Sequence, residues 1–128
     1  MRNILRLGLL SLVAAVLTGC TTPLITNLTP SRLPRKENAQ YAFSVEYATR
    51  QSTILQDTFK AYVIVGNDRY PMERTSLLEN RWETLVPVPA QQEAISYRYR
   101  FEYEYKAIPV PKVEVRDTKP YQLLITGR

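Results

Sequence analysis

Histidine is absent from the 128 residues, and cysteine occurs once, at Cys20. Without histidine there can be no Ser–His or Cys–His nucleophile pair, and the commonest metal ligand is missing. A single cysteine excludes an intramolecular disulfide. Four glycines are too few for a phosphate-cradling loop, and no calcium-loop spacing occurs. No apolar run approaches the roughly 20 residues that a membrane-spanning helix needs. A concentrated basic face is missing too. The formal charge is +5, the one basic cluster is Arg32, Arg35 and Lys36, and no nucleic-acid-binding motif accompanies it, so nucleic acid is not an expected partner.

Paired carboxylates are the remaining route to catalysis. Glu102 and Glu104 are two apart in a strand-like stretch, about 7 Å along one face. That face reads Arg98, Arg100, Glu102, Glu104, Lys106, and basic neighbours keep both carboxylates ionised instead of raising one for acid catalysis. Asp57, Asp68 and Asp117 are isolated and fit turns. The expectation is a solvated charged face on a chain that is not an enzyme and uses no cofactor.

The chain opens with two basic residues, Arg2 and Arg6, followed by an apolar run over 7–17 broken only by Gly8 and Ser11. The run is short and ends in small residues, as in a cleaved secretion signal. Its last positions, Leu17-Thr18-Gly19-Cys20, resemble the lipobox of bacterial lipoproteins. Leu17 extends the apolar segment, Thr18 and Gly19 are small enough for a peptidase site, and Cys20 supplies the sulfur for a thioether. The resemblance implies cleavage before Cys20, a diacylglycerol on its sulfur and acylation of the new amine. Several acyl chains on one residue anchor stably where one chain binds marginally. The implied organisation is a signal peptide over 1–19, a lipidated cysteine and short tether over 20–22, and a β-sandwich domain over 23–128. Removing Arg2 and Arg6 from the seventeen basic residues leaves fifteen against twelve acids, a net +3. The residue after Cys20 is Thr21 and not Asp. In a Gram-negative cell that resembles the outer-membrane default, on the periplasmic face or the cell surface. Pro23 follows closely, so the domain is expected near the bilayer.

Hydrophobic residues at 45% and charged residues at 23% are globular proportions, which argues against disorder over most of the chain. From residue 24 onward period-two alternation dominates. Strands are predicted at 24–28, 41–47, 59–65, 69–74, 82–88, 94–107 and 121–126. Gly66-Asn67-Asp68 marks a turn, with 69–74 returning as a hairpin partner. One helical turn fits 53–58. Short strands at regular spacing predict an all-β fold, an antiparallel β-sandwich of about seven strands after an N-terminal signal helix, immunoglobulin-like, with a transthyretin-like sandwich as the alternative. The opening Pro23-Leu24-Ile25-Thr26-Asn27-Leu28-Thr29-Pro30 resembles the first strand of many bacterial immunoglobulin-like domains. Pro87 and Pro89, and Pro109 and Pro111, fit either a protected edge strand or strand ends leading into loops.

The most informative stretch is 94–107. Ile95, Tyr97, Tyr99, Phe101, Tyr103 and Tyr105 share one face, as a packed core stripe does, with room for a tyrosine-corner residue among them. Fully extended it would reach about 46 Å, more than twice the ~17–20 Å of a usual strand. Part of the stripe is therefore expected to leave the core. Tyr103 and Tyr105, nearest the Ile108-Pro109 break, are the candidate binding surface, since exposed tyrosines recur in such surfaces. The expected role is a non-enzymatic, membrane-anchored envelope lipoprotein that docks a protein partner. A carbohydrate-binding lipoprotein stacking glycans on those tyrosines is the alternative.

Overall fold

The computed structural model describes residues 22–127; the sequence-read signal peptide, Leu17, Thr18, Gly19 and the lipidation site Cys20 lie outside them. Ten strands form two packed sheets: β1 (Leu24–Asn27), β2 (Arg32–Pro34), β3 (Gln40–Ala48), β4 (Lys60–Val65), β5 (Asp68–Pro71), β6 (Glu73–Arg74), β7 (Arg81–Pro87), β8 (Ala94–Tyr105), β9 (Lys112–Asp117) and β10 (Tyr121–Thr126). Among the described residues one 3-10 turn is present, Gln56–Thr58, within the stretch expected to hold one helical turn. Among the described residues no helix is long and apolar enough to cross a membrane.

One sheet has the order β1-β3-β7-β6, the other β2-β10-β8-β4-β5, with β9 also paired to β8. Assigning letters along the chain gives A-B-E-D facing A′-G-F-C-C′, the strand order of the immunoglobulin fold. All pairs are antiparallel except β2 with β10, so the antiparallel expectation holds for every strand but β2.

The expected seven strands become ten for three physical reasons. The stretch 69–74 does not form one hairpin arm. Residues up to Pro71 pair with β4, Met72 turns its side chain into the core, and Glu73 and Arg74 pair with β7 in the opposite sheet. β2 is only three residues long, and its Arg32 and Pro34 read as loop. β9 was not anticipated, because its valines face outward while Glu114 and Arg116 face inward. The paired prolines are strand ends: Pro87 closes β7, Pro89 lies in the following loop, and Pro109 and Pro111 lie between β8 and β9.

The core is built from the alternating inward positions of β3, β7 and β8: Tyr41, Phe43, Val45 and Tyr47, then Trp82 and Val86, then Ile95 to Tyr103, joined by Val63 and Leu123. Trp82 is 8% exposed and stacks on Phe59 at 5.3 Å. True immunoglobulins place a disulfide between the B and F strands. Here a hydroxyl takes that place. The buried Tyr99 hydroxyl, on β8, donates to Asn27 Oδ1 at 2.7 Å and lies 3.1 Å from the Ser44 carbonyl of β3 and 2.8 Å from Thr29 Oγ1. Tyr97 hydroxyl accepts from Asn27 Nδ2 at 2.8 Å. No backbone group just upstream of β8 is the partner of either tyrosine in these bonds, so this is a cross-sheet pin, not a tyrosine corner.

Candidate functional site

β1 starts beside the end of β3, with Leu24 opposite Ala48. β8 ends and β9 begins at that same end, with Tyr105 opposite Lys112. The β3–β4 connection lies there too, because Ile54 bridges to Tyr105. Its backbone continues the sheet past β4: Leu55 N–H donates to the Glu104 carbonyl and Lys106 N–H to the Thr53 carbonyl, both at 2.9 Å. The last third of β8 is therefore flanked on both sides, which is how a twelve-residue strand stays covered.

That cover corrects the expectation for Tyr103. It is 2% exposed, stacked on Phe59 at 5.4 Å and set edge-on to Tyr47 at 6.3 Å. Its ring offers no stacking face, so a two-ring tyrosine platform for glycans does not exist here. Tyr105 is half-buried. The stripe divides one residue later than the strand length implied.

Both tyrosines nevertheless border one open cleft of about 480 Å³, lined also by Arg50, Gln51, Ser52, Thr53, Glu114 and Arg116. The last two come from β9, where register places Glu114 opposite Tyr103 and Arg116 opposite Phe101, all on the inward face. Charged side chains are tolerated there because the cleft admits water above them.

Tyr103 reaches the cleft with its hydroxyl alone. Arg116 Nε donates to it at 3.2 Å and Tyr47 hydroxyl points to it at 3.4 Å. Both contacts use the Tyr103 oxygen as acceptor, which leaves its proton to be donated into the cleft. The hydrogen bond to Tyr103 raises the Arg116 guanidinium above its ordinary value, so it stays charged. Burial, reinforced by the Tyr103 bond, pushes the Tyr47 phenol up. Arg116 also lies 3.9 Å from Glu114. The cleft thus offers two guanidinium groups and a phenolic proton against one carboxylate, a donor-rich surface suited to a polar or anionic group.

Outside the cleft, the charged face of β8 pairs across strands. Arg100 grips Asp117 with two bonds, 2.7 and 3.0 Å, and Glu102 lies 3.5 Å from Arg69. This is the solvated charged face expected from sequence, although its partners are on neighbouring strands and not along β8. Among the described residues no cluster of three His, Cys, Asp or Glu could hold a metal. Sequence reasoning missed Arg50 to Thr53, Glu114 and Arg116. The alternation of β9 was the available signal, with its polarity inverted.

Beside the cleft, β9 carries Val113 and Val115 on the outer face, 66% and 51% exposed, opposite Glu104 and Glu102. Only β8 pairs with β9 among the described residues, so its other edge is open.

Strand order and core together define an immunoglobulin-like β-sandwich with one donor-rich end and one open edge. No family model matches the chain, and no curated protein matches it. Among solved structures it is similar to AggA, the major subunit of aggregative adherence fimbriae type I from Escherichia coli, at TM-score 0.46 and 9% identity, covering 86% of this chain and 98% of that one. The strand order, not this likeness, defines the fold.

Proposed function

We propose that this chain is a membrane-anchored envelope lipoprotein without catalytic function, whose immunoglobulin-like domain takes a partner protein by strand pairing along β9. The anchor rests on the lipobox resemblance and its lone thiol. The interaction reading rests on the open edge of β9. Natural sheets keep free edges short, or block them with proline, because an unpaired edge templates pairing with another chain. The other edges here follow that rule: β1 has four residues, β6 two, β2 three ending in Pro34, and β5 four ending in Pro71. β9 has six and no proline. Thr118 N–H donates to the Tyr99 carbonyl at 3.0 Å, and antiparallel alternation then turns the backbone groups of Val113, Val115 and Asp117 outward. An extended segment with alternating apolar residues can add to this edge and cover both valines, as in recognition by strand addition.

Site-specific photo-crosslinking in cells making the full chain tests this. A photoreactive residue at Val113 is expected to give a discrete protein adduct, and the same residue at exposed Leu85 on the opposite sheet is not. Val115→Pro removes one outward N–H, leaves the bonds to β8 in place, and is expected to abolish the adduct. An adduct that survives Val115→Pro, or equal adducts from both positions, overturns the reading.

A further inference from the structure

We infer that the β8–β9 connection is a membrane-contacting tip that seats the domain on an anionic lipid surface. This rests on the anchored-lipoprotein reading. The connection over 106–111 projects beyond the cleft end of the sandwich, and its apolar side chains have nothing to pack on. Ile108 is 95% exposed and Val110 63%, flanked by Pro109 and Pro111. Leu24, at the same end, is 67% exposed. Exposed apolar side chains gathered at one end call for a cover.

The end of the molecule and its charge say what that cover is. Leu24 lies four positions after Cys20, and four extended residues reach at most about 14 Å. A lipid on Cys20 therefore holds this end, and no other, against the bilayer. The opposite end carries the Gly66 turn and the close of β10 at Thr126. Around the tip the sequence Tyr105-Lys106-Ala107-Ile108-Pro109-Val110-Pro111-Lys112-Val113 contains no acid, and Lys106 and Lys112 are both exposed. Apolar side chains between two lysines match an interface of acyl chains beneath anionic head groups, where each lysine adds attraction. Arg50, exposed on the neighbouring loop, extends the same charge. Glu114, the nearest acid of β9, is turned into the cleft beside Arg116, 3.9 Å from it on the same face of the strand.

The test uses the full lipidated chain, in which Cys20 is consumed and Ile108→Cys is the one free thiol. The protein is reconstituted in phosphatidylethanolamine–phosphatidylglycerol vesicles with an environment-sensitive fluorophore on residue 108, or on Asn67→Cys at the far end. Neither position contributes to the core. The expected result is flotation of both proteins with the vesicles. Emission moves to shorter wavelength and is shielded from an aqueous quencher at residue 108 only. Lys106→Glu with Lys112→Glu is expected to remove that shift while flotation persists. Flotation with equal, water-like emission at 108 and 67 overturns the tip and leaves the anchor standing. Failure to float overturns the anchor, and the tip with it. A shift unchanged by the two glutamates overturns the anionic surface as the occupant.

Discussion

Tyr99 shows how much one hydroxyl can do in a sandwich with no disulfide among its strands. It joins β8 to β3 and to the chain leaving β1, inside the core, through Asn27, Thr29 and Ser44. Removing it deletes those contacts, but each partner keeps another: Asn27 Oδ1 still accepts from Thr29 N–H, the Ser44 carbonyl from Leu28 N–H, and Thr29 Oγ1 from Ser44 N–H. Tyr99→Phe is therefore expected to lower stability by about 0.5–1.5 kcal/mol, the net worth of a hydrogen bond, without changing the fold, read by urea denaturation. A loss within error of wild type would mean that water replaces the hydroxyl. The burial of Tyr99 was legible in the sequence, because strand period put it in line with Ile95, Tyr97 and Phe101. Its partners were not. Asn27, Thr29 and Ser44 are ordinary strand and turn residues, and only the register of β1 on β3 brings them to one point.

At the scale of elements, strands with an apolar inward face were readable, and those without one were not. β3, β7 and β8 alternate large apolar with polar residues, β4 and β10 are rich in strand formers, and all were found within a residue or two. β9 alternates equally well, but its Glu114 and Arg116 face the cleft and its valines face solvent, so the pattern carried no inside. β2 is too short to have a period. The fate of the β8 stripe was settled by residues 53–59, whose cover comes from Ile54 and Phe59 and has no repeat to detect. The division now placed between Tyr103 and Tyr105 can be measured. Tyr103→Ala is expected to cost about 3–5 kcal/mol, as Phe101→Ala does, and Tyr105→Ala distinctly less. Equal losses for Tyr103 and Tyr105 in thermal melts would place the boundary beyond the end of the strand.

For the whole molecule, the distribution of enclosed phenols sets the response to pH. Burial raises Tyr47, Tyr97 and Tyr99 above the ordinary tyrosine value. Below about pH 10 these phenols are protonated whether the chain is folded or not, and their contribution to stability is complete. Above that, the unfolded chain releases protons that the folded domain retains, so unfolding becomes easier by about 1.4 kcal/mol per pH unit for each phenol still protonated in the fold. On the acid side, the hydrogen bond from Arg100 lowers Asp117. That contribution is present above about pH 4 and fades as the pH falls through the lowered value, and it is small for a pair this exposed. Denaturation midpoints are expected to drop more steeply between pH 9 and 11 than the Asp117 pair alone accounts for between pH 5 and 3. A flat alkaline limb would show that the phenols ionise in place.

The parallel pair β2–β10 also decides how the domain meets a pull. The chain enters β1 at the cleft end and leaves β10 at the other, and both members of the pair run in that direction. Tension between the two ends therefore draws β2 and β10 past each other lengthwise. The register from Arg32 opposite Leu124 to Pro34 opposite Thr126, with the flanking bonds from Leu124 to Ser31 and from Arg35 to Thr126, is loaded in shear. These bonds must give way together, not peel open one by one, so a short strand becomes the clamp of a domain held at one end and tugged at the other.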